Sequence, residues 1–119
     1  MARGRIGYGN NLFMSEQRIR DLIAKLEAAT EGSHELDGLI WDTLGPVKPR
    51  SIHRYTSSLD AALTLVPEGC DVDMQTRKRY AMVADWRGRD HGVPLGSSIG
   101  VATLPLALCI AALKARVDQ

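Results

Sequence analysis

Apolar residues recur at helical spacing through the first part of the chain. Residues 19–26 carry an i, i+3, i+4, i+7 stripe, and Ser15 stands where a side chain could cap the start of that helix. The same spacing recurs after Ser33 and again after Ser57 or Ser58, and each of these serines is a suitable N-cap. The pattern therefore predicts three helices in the first half of the protein.

The period of the apolar residues changes from helical to alternating in the second half. The side chains at 80, 82, 84 and 86, three of them large, alternate with those at 81, 83 and 85, which predicts a strand, and residues 70–74 predict a shorter strand before it. A weaker pattern, rich in glycine and serine, predicts a third strand over 93–102. Thr103 is placed to cap a last helix that has Pro105 in its first turn. Because this helix is apolar on two faces, we expect it to be central.

These elements predict an α+β fold in the order ααα-βββ-α. We expect a small antiparallel sheet of about three strands packed between helical layers. Glycine and asparagine make residues 1–13 a poor match to any regular element, so a flexible basic tail is predicted there. The remaining residues, 14–119, have the length of a single sandwich domain.

Composition narrows the class of protein without assigning a function. The net charge of +1 gives no overall attraction to DNA or to an anionic membrane. Cys70 and Cys109 match no metal-binding spacing and are predicted to be reduced, as in a cytoplasmic protein. The longest apolar stretch, residues 101–113, is shorter than the ~20 residues that a spanning helix needs, so no membrane contact is expected.

Charge is segregated along the chain, and the acidic part coincides with the first two predicted helices. Residues 21–45 hold six acids and one lysine. Their outer faces are either ordinary solvated surface or a DNA-like surface that occupies the basic groove of a partner, with a tryptophan as its apolar contact. The predicted partner-binding residues are Asp21, Glu27, Glu31, Glu35, Asp37, Trp41 and Asp42.

The basic part of the chain flanks one predicted strand. Residues 75–92 hold five bases and two acids, and a hairpin is expected to bring the bases to one end of the sheet. There they would either protect a strand edge or contact the phosphates of a nucleic acid. The residues of this alternative site are Arg77, Lys78, Arg79, Trp86, Arg87 and Arg89.

The residue types that usually carry catalysis or bind metals are present but scattered. His34, His53 and His91 have no short spacing that would supply two ligands to a zinc ion. Asp71 and Asp73 share a strand face, with few other acids near them in sequence. We assign no catalytic residue, metal site or cofactor, and we expect a protein that is not an enzyme.

Two segments of the chain resemble the phage ABA sandwich domain family. They are residues 55–66, YTSSLDAALTLV, and residues 102–113, ATLPLALCIAAL. Members of the family carry a similar Tyr-containing segment, a short meander, and a helix with the pattern Pro-Leu-Ala-(Leu/Ile)-Cys-x-Ala-Ala-Leu. The resemblance covers about residues 15–117. It implies a sheet packed between helical layers in a small phage or prophage protein, and it carries over no catalytic residue.

Together these features predict a small, non-enzymatic, phage- or prophage-encoded binding protein of the host cytoplasm. The most specific version of this prediction is an inhibitor of a host defence nuclease complex, of anti-CRISPR type, that acts by surface occlusion. The expected partner is a host protein or nucleoprotein complex. The alternatives are a nucleic-acid-binding accessory protein that uses residues 75–92 and a phage structural or assembly component. The sequence specifies neither the partner's identity nor the oligomeric state.

Overall fold

The computed structural model describes residues 4–44, 50–85 and 93–118, and the side chains within 16–44, 50–85 and 94–117. The described elements follow the predicted order ααα-βββ-α, which confirms the mixed helix-and-strand fold. They are α1 (Gly4–Ala28), α2 (His34–Thr43), α3 (Leu59–Leu63), β1 (Cys70–Gln75), β2 (Tyr80–Asp85), β3 (Val93–Ser98) and α4 (Leu104–Asp118).

Three helices begin at the residues that the sequence indicated. Ser33, Ser58 and Thr103 each accept a hydrogen bond from the backbone N–H three residues further on, at 3.2, 3.3 and 3.3 Å. Each side chain satisfies one of the amide groups that the first turn of a helix leaves without an intrahelical partner. These caps fix where α2, α3 and α4 begin.

The first helix begins earlier than predicted. Its backbone is helical from Gly4 and continues through Ser15, so Ser15 is not an N-cap. Extending an existing helix by one residue restricts the backbone of that residue and forms one further hydrogen bond. A helix whose apolar face is packed against the protein can therefore extend into residues of low helix propensity. The side chains of residues 4–13, and with them any binding role of the basic segment, lie outside the described side chains.

The sheet is a fully antiparallel meander in the order β1-β2-β3. Val72 lies opposite Val83, and Val83 lies opposite Gly96. Because directly paired residues of antiparallel strands share a face, these three residues mark the inner face of the sheet. The register shifts between Val83 and Ala84, where β2 pairs with the early part of β3.

Helix α4 forms the centre of the molecule. It contacts β2 and β3 on one side and α1 and α3 on the other. Gly96 permits the close approach of β3, because a Cβ there would collide with the carbonyl oxygen of Ala111 and lie 2.8 Å from the backbone nitrogen of Ala115. The fully buried side chains of α4 are Leu106, Ala107, Leu108, Cys109, Ile110, Ala111, Ala112, Leu113 and Ala115. The apolar character of α4 on two faces therefore indicated its central place correctly.

Among the described residues, no helix combines the length and the hydropathy that crossing a bilayer requires.

Candidate functional site

The acidic residues of the first two helices do not all face solvent. Asp37 is 2% exposed, and its Oδ1 accepts hydrogen bonds from the backbone N–H of Thr56 at 2.9 Å and from the Thr56 hydroxyl at 2.6 Å. The predicted placement of Asp37 on a binding face is therefore wrong. The buried residues of α2 are Asp37 and Ile40, and Leu39 is half-buried.

The buried carboxylate of Asp37 holds the segment between α2 and α3 against the beginning of α2. The Thr56 hydroxyl also accepts a hydrogen bond from the backbone N–H of Ser33 at 2.9 Å. At the same place the thiol of Cys109 donates to the carbonyl oxygen of Tyr55 at 3.1 Å. Gly32 is required by the close approach, since a Cβ there would collide with the Thr56 carbonyl group. Asp37 thus has a structural role that charge counting did not reveal.

The other predicted acids are exposed, and we call them the acidic surface. It consists of Asp21, Glu27, Glu31, Glu35 and Asp42. Glu27 lies 3.5 Å from the ammonium group of Lys114, and Asp21 accepts a 3.0 Å hydrogen bond from Gln17. An exposed ion pair of this kind contributes only ~0–1 kcal/mol to folding, so Glu27 remains available to a partner.

A shallow groove lies between α1 and α2 beside the acidic surface. Its volume is about 200 Å³, and Leu22 and Leu39 supply its apolar lining. Charged side chains of both signs stand around them: Arg18, Asp21, Lys25 and Asp42. The groove therefore offers a partner apolar contact with charged groups of both signs at its border.

Trp41 does not project as a free aromatic side chain. It is half-buried and packs against the hydrophobic core. Because part of the ring is used by the protein's own packing, only its outer part can contribute to an interface. The role of Trp41 as the apolar contact of a partner remains a prediction, and Leu39 is the groove-lining residue that the sequence did not single out.

Three of the predicted basic residues lie together in the turn between β1 and β2. Arg77, Lys78 and Arg79 are all exposed. The loop after β3 packs beside this turn, because the N–H of Gly100 donates to the Lys78 carbonyl at 3.0 Å and the Arg79 Nε donates to the Val101 carbonyl at 2.5 Å. We call residues 76–79 and 99–102 together the basic tip.

The remaining basic candidates belong to the segment that follows β2 in the sequence. Trp86, Arg87 and Arg89 lie outside the described residues, and they follow the end of β2 at Asp85. The turn of the basic tip joins β2 at its other end, about 17 Å away for a strand of this length. The expectation that a hairpin gathers both groups at one end of the sheet therefore stays a prediction, because only the group at 77–79 lies within the described residues.

A second cleft lies between α1, β3 and α4. Its volume is about 330 Å³, and Arg20 and Lys114 supply its positive charge. Lys114 already donates to the Ser97 carbonyl at 3.0 Å and lies against Glu27. The cleft consequently carries a weaker positive field than its two cations alone would give.

The buried reactive groups of the protein lie near the Asp37 contact. Burial raises the pKa of the Tyr55 hydroxyl, and the negative charge of Asp37 raises it further. Burial is also the main cause of the raised pKa of the Cys109 thiol. Burial lowers the pKa of Arg116, whose Nε donates to the Leu65 carbonyl at 2.9 Å. Cys109 is therefore protonated at neutral pH and is a poor nucleophile.

The described residues contain no group of three or more His, Cys, Asp and Glu side chains placed to hold a metal ion. Comparison of the chain with family models, with curated proteins and with solved structures gives no match. The resemblance to the phage ABA sandwich domain family consequently remains an expectation drawn from the two segments that carry it.

Proposed function

We propose that this protein is a small binding protein, carried by a phage or prophage, that occludes the nucleic-acid-binding groove of a host defence nuclease complex. It would act by binding and not by catalysis. The observation that carries the proposal is the acidic surface. Residues 26–44 contain five carboxylates and no lysine or arginine, and four of the five are exposed.

The geometry of α1 and α2 supports an electrostatic mode of binding. The exposed carboxylates lie on two consecutive helices that pack against each other and, for Glu31, on the connection between them, so folding fixes their relative positions. A fixed array of negative charges can take the place of nucleic-acid phosphates in a basic groove. Such complementarity mainly raises the rate of association and excludes partners of like charge.

The neighbouring groove supports a contribution beyond charge. Charged contacts at the rim of an interface usually contribute little to affinity, and buried apolar contacts contribute more. Leu39 is half-buried, lines the groove beside Asp42 and is positioned for such a contact, whereas Leu22 is 4% exposed and forms the floor of the groove. We therefore expect the partner to cover both the acidic surface and the groove.

The test compares two charge-reversed variants of equal net charge. The first replaces Glu31, Glu35 and Asp42 by Lys. The matched control replaces three exposed acids outside α1 and α2 by Lys: Asp60, Glu68 and Asp71. Each variant is expressed in a host with an active nuclease-based defence, and survival of an incoming phage or plasmid is measured.

We expect the wild type and the control to protect the incoming DNA and the first variant to lose protection. Purified protein should also compete with nucleic acid for the isolated nuclease complex, because both would occupy the same groove. Equal activity of the two variants would show that the acidic surface is not the working surface. A wild-type protein that neither protects DNA nor binds any nuclease complex would refute the proposed function.

A further inference from the structure

The basic tip joins two loops that are distant in sequence into one surface. The turn at 76–79 supplies three cations, and the loop at 99–102 contains no charged residue. The eight residues together therefore carry a formal charge of +3 with no acid among them. Ile99 adds the most exposed large apolar side chain of the described residues, at 62% exposure.

The hydrogen bonds between the loops give this surface a fixed shape. The backbone of Lys78 and the side chain of Arg79 both bind the loop at 99–102. Arg79 has a φ of +48°, which a side-chain-bearing residue rarely adopts, and its bond to Val101 holds it there. The side-chain part of this contact is made by Nε of Arg79.

We propose that the basic tip binds the phosphate backbone of a nucleic acid, with Ile99 contacting the adjoining sugars. Arginine binds phosphate through parallel N–H groups of defined geometry, so a rigid support favours phosphates held at regular spacing. A fluid lipid surface gains nothing from such rigidity. An acidic protein needs an interface of about 800 Å² on each partner, which is large for two short loops.

This inference is independent of the acidic surface and of its partner. It also differs from the sequence-based hypothesis, which combined the turn with residues 86–92 and did not include the loop at 99–102. If both surfaces are used, a nucleoprotein complex could be contacted through its protein and its nucleic acid at once.

The first test measures binding of the full chain to a fluorescently labelled mixed-sequence DNA duplex by anisotropy, over a series of salt concentrations. Three phosphate contacts predict a slope of log affinity against log salt of about −2.7, or about a 40-fold loss between 50 and 200 mM salt. Replacing Arg77 and Lys78 by Gln should weaken binding. It should also reduce the loss over that range to about 3- to 4-fold, as expected for one remaining contact.

The matched control replaces Arg50 and Arg54 by Gln. Both are exposed cations outside the basic tip, so the change in net charge is the same. The control should keep the wild-type salt dependence. Ile99→Ser should lower the affinity at every salt concentration and leave the slope unchanged, because an apolar contact releases no counterion. Circular dichroism and thermal melting confirm that each variant is folded.

Three results would overturn this inference. They are absence of duplex binding at low salt, an equal effect of the control and the basic-tip variant, and an Arg77/Lys78-dependent affinity for polyglutamate that equals the affinity for DNA. Vesicles of phosphatidylcholine and phosphatidylserine provide a further comparison. Binding to these vesicles without binding to DNA would assign the basic tip to a membrane surface instead.

Discussion

Replacing Asp37 by Ala tests the contact that joins α2 to the segment before α3. The substitution removes the acceptor of two buried hydrogen bonds, from the Thr56 N–H at 2.9 Å and from its hydroxyl at 2.6 Å. Thr56 is only 1% exposed, so water cannot replace the lost acceptor without a rearrangement. We expect the protein to fold with clearly reduced stability.

The two bonds do not contribute equally to the expected loss. The Thr56 hydroxyl has a second acceptor within reach, the Ser33 carbonyl oxygen at 3.2 Å, and can turn to it. The Thr56 N–H has no such alternative acceptor among the described residues, so its bond to a charged acceptor is lost. That loss lowers the free energy of unfolding by ~1.5–3 kcal/mol. With a smaller loss at the hydroxyl, the free energy of unfolding should fall by about 3 kcal/mol.

The assay is urea unfolding followed by far-UV circular dichroism. The midpoint should fall with no change in the slope of the transition, which would locate the effect in the native state. Asp37→Asn should lose less, because it retains an oxygen acceptor. Asp42→Ala is the control, as it removes an exposed carboxylate from the same helix and should change stability by less than ~0.5 kcal/mol.

A double-mutant cycle with Thr56→Val isolates the hydroxyl bond. If Asp37 acts through Thr56, the two substitutions should be less than additive, with a coupling of about 1 kcal/mol. A loss below ~1 kcal/mol for Asp37→Ala would refute the reasoning that this carboxylate holds the segment between α2 and α3, whereas full additivity would show that the hydroxyl bond contributes nothing and leave only the N–H bond.

Three further predictions concern the core. Gly96→Ala should lower the unfolding midpoint more than Gly38→Ala, measured by the same urea titration, because at Gly96 the new Cβ meets the backbone of α4, whereas at Gly38 the nearest atom is Ile52 Cδ1 at 4.0 Å. The Tyr55 hydroxyl is buried with no hydrogen-bond partner among the described residues, so Tyr55→Phe should leave stability unchanged or raise it by ~1 kcal/mol; a clear loss would indicate a partner for that hydroxyl. Cys109 should resist iodoacetamide in the native protein and react after unfolding in urea, as followed by peptide mass spectrometry. Burial raises the pKa of the Cys109 thiol in the folded protein. The stability that this thiol contributes is therefore present below the unfolded thiol pKa of about 8.5 and is lost above it, by up to ~1.4 kcal/mol per pH unit. Cys109→Ala should remove that part of the decline of stability with rising pH.

The site could be predicted from the sequence only in part. Clusters of like charge are visible in any sequence, so the exposed acids of α1 and α2 and the cations of the β1–β2 turn were found in advance. The inward orientation of Asp37 was not found in advance. Helical spacing defines the edge of a buried face only to within one residue, and the hydrogen-bond partner Thr56 lies 19 residues away in the sequence. Ile99 was missed because its exposure depends on which loop packs beside it.

The order of helices and strands, the three N-caps and the central place of α4 were determined by the sequence alone. These features depend on residues within a few positions of one another, so local spacing and capping chemistry are sufficient to specify them. The tertiary structure decided which acids are buried, that Gly32 and Gly96 stand at close approaches, and that the loop at 99–102 completes the basic tip. Each of these depends on contacts between distant segments, which form only when the chain folds and which local sequence patterns do not encode.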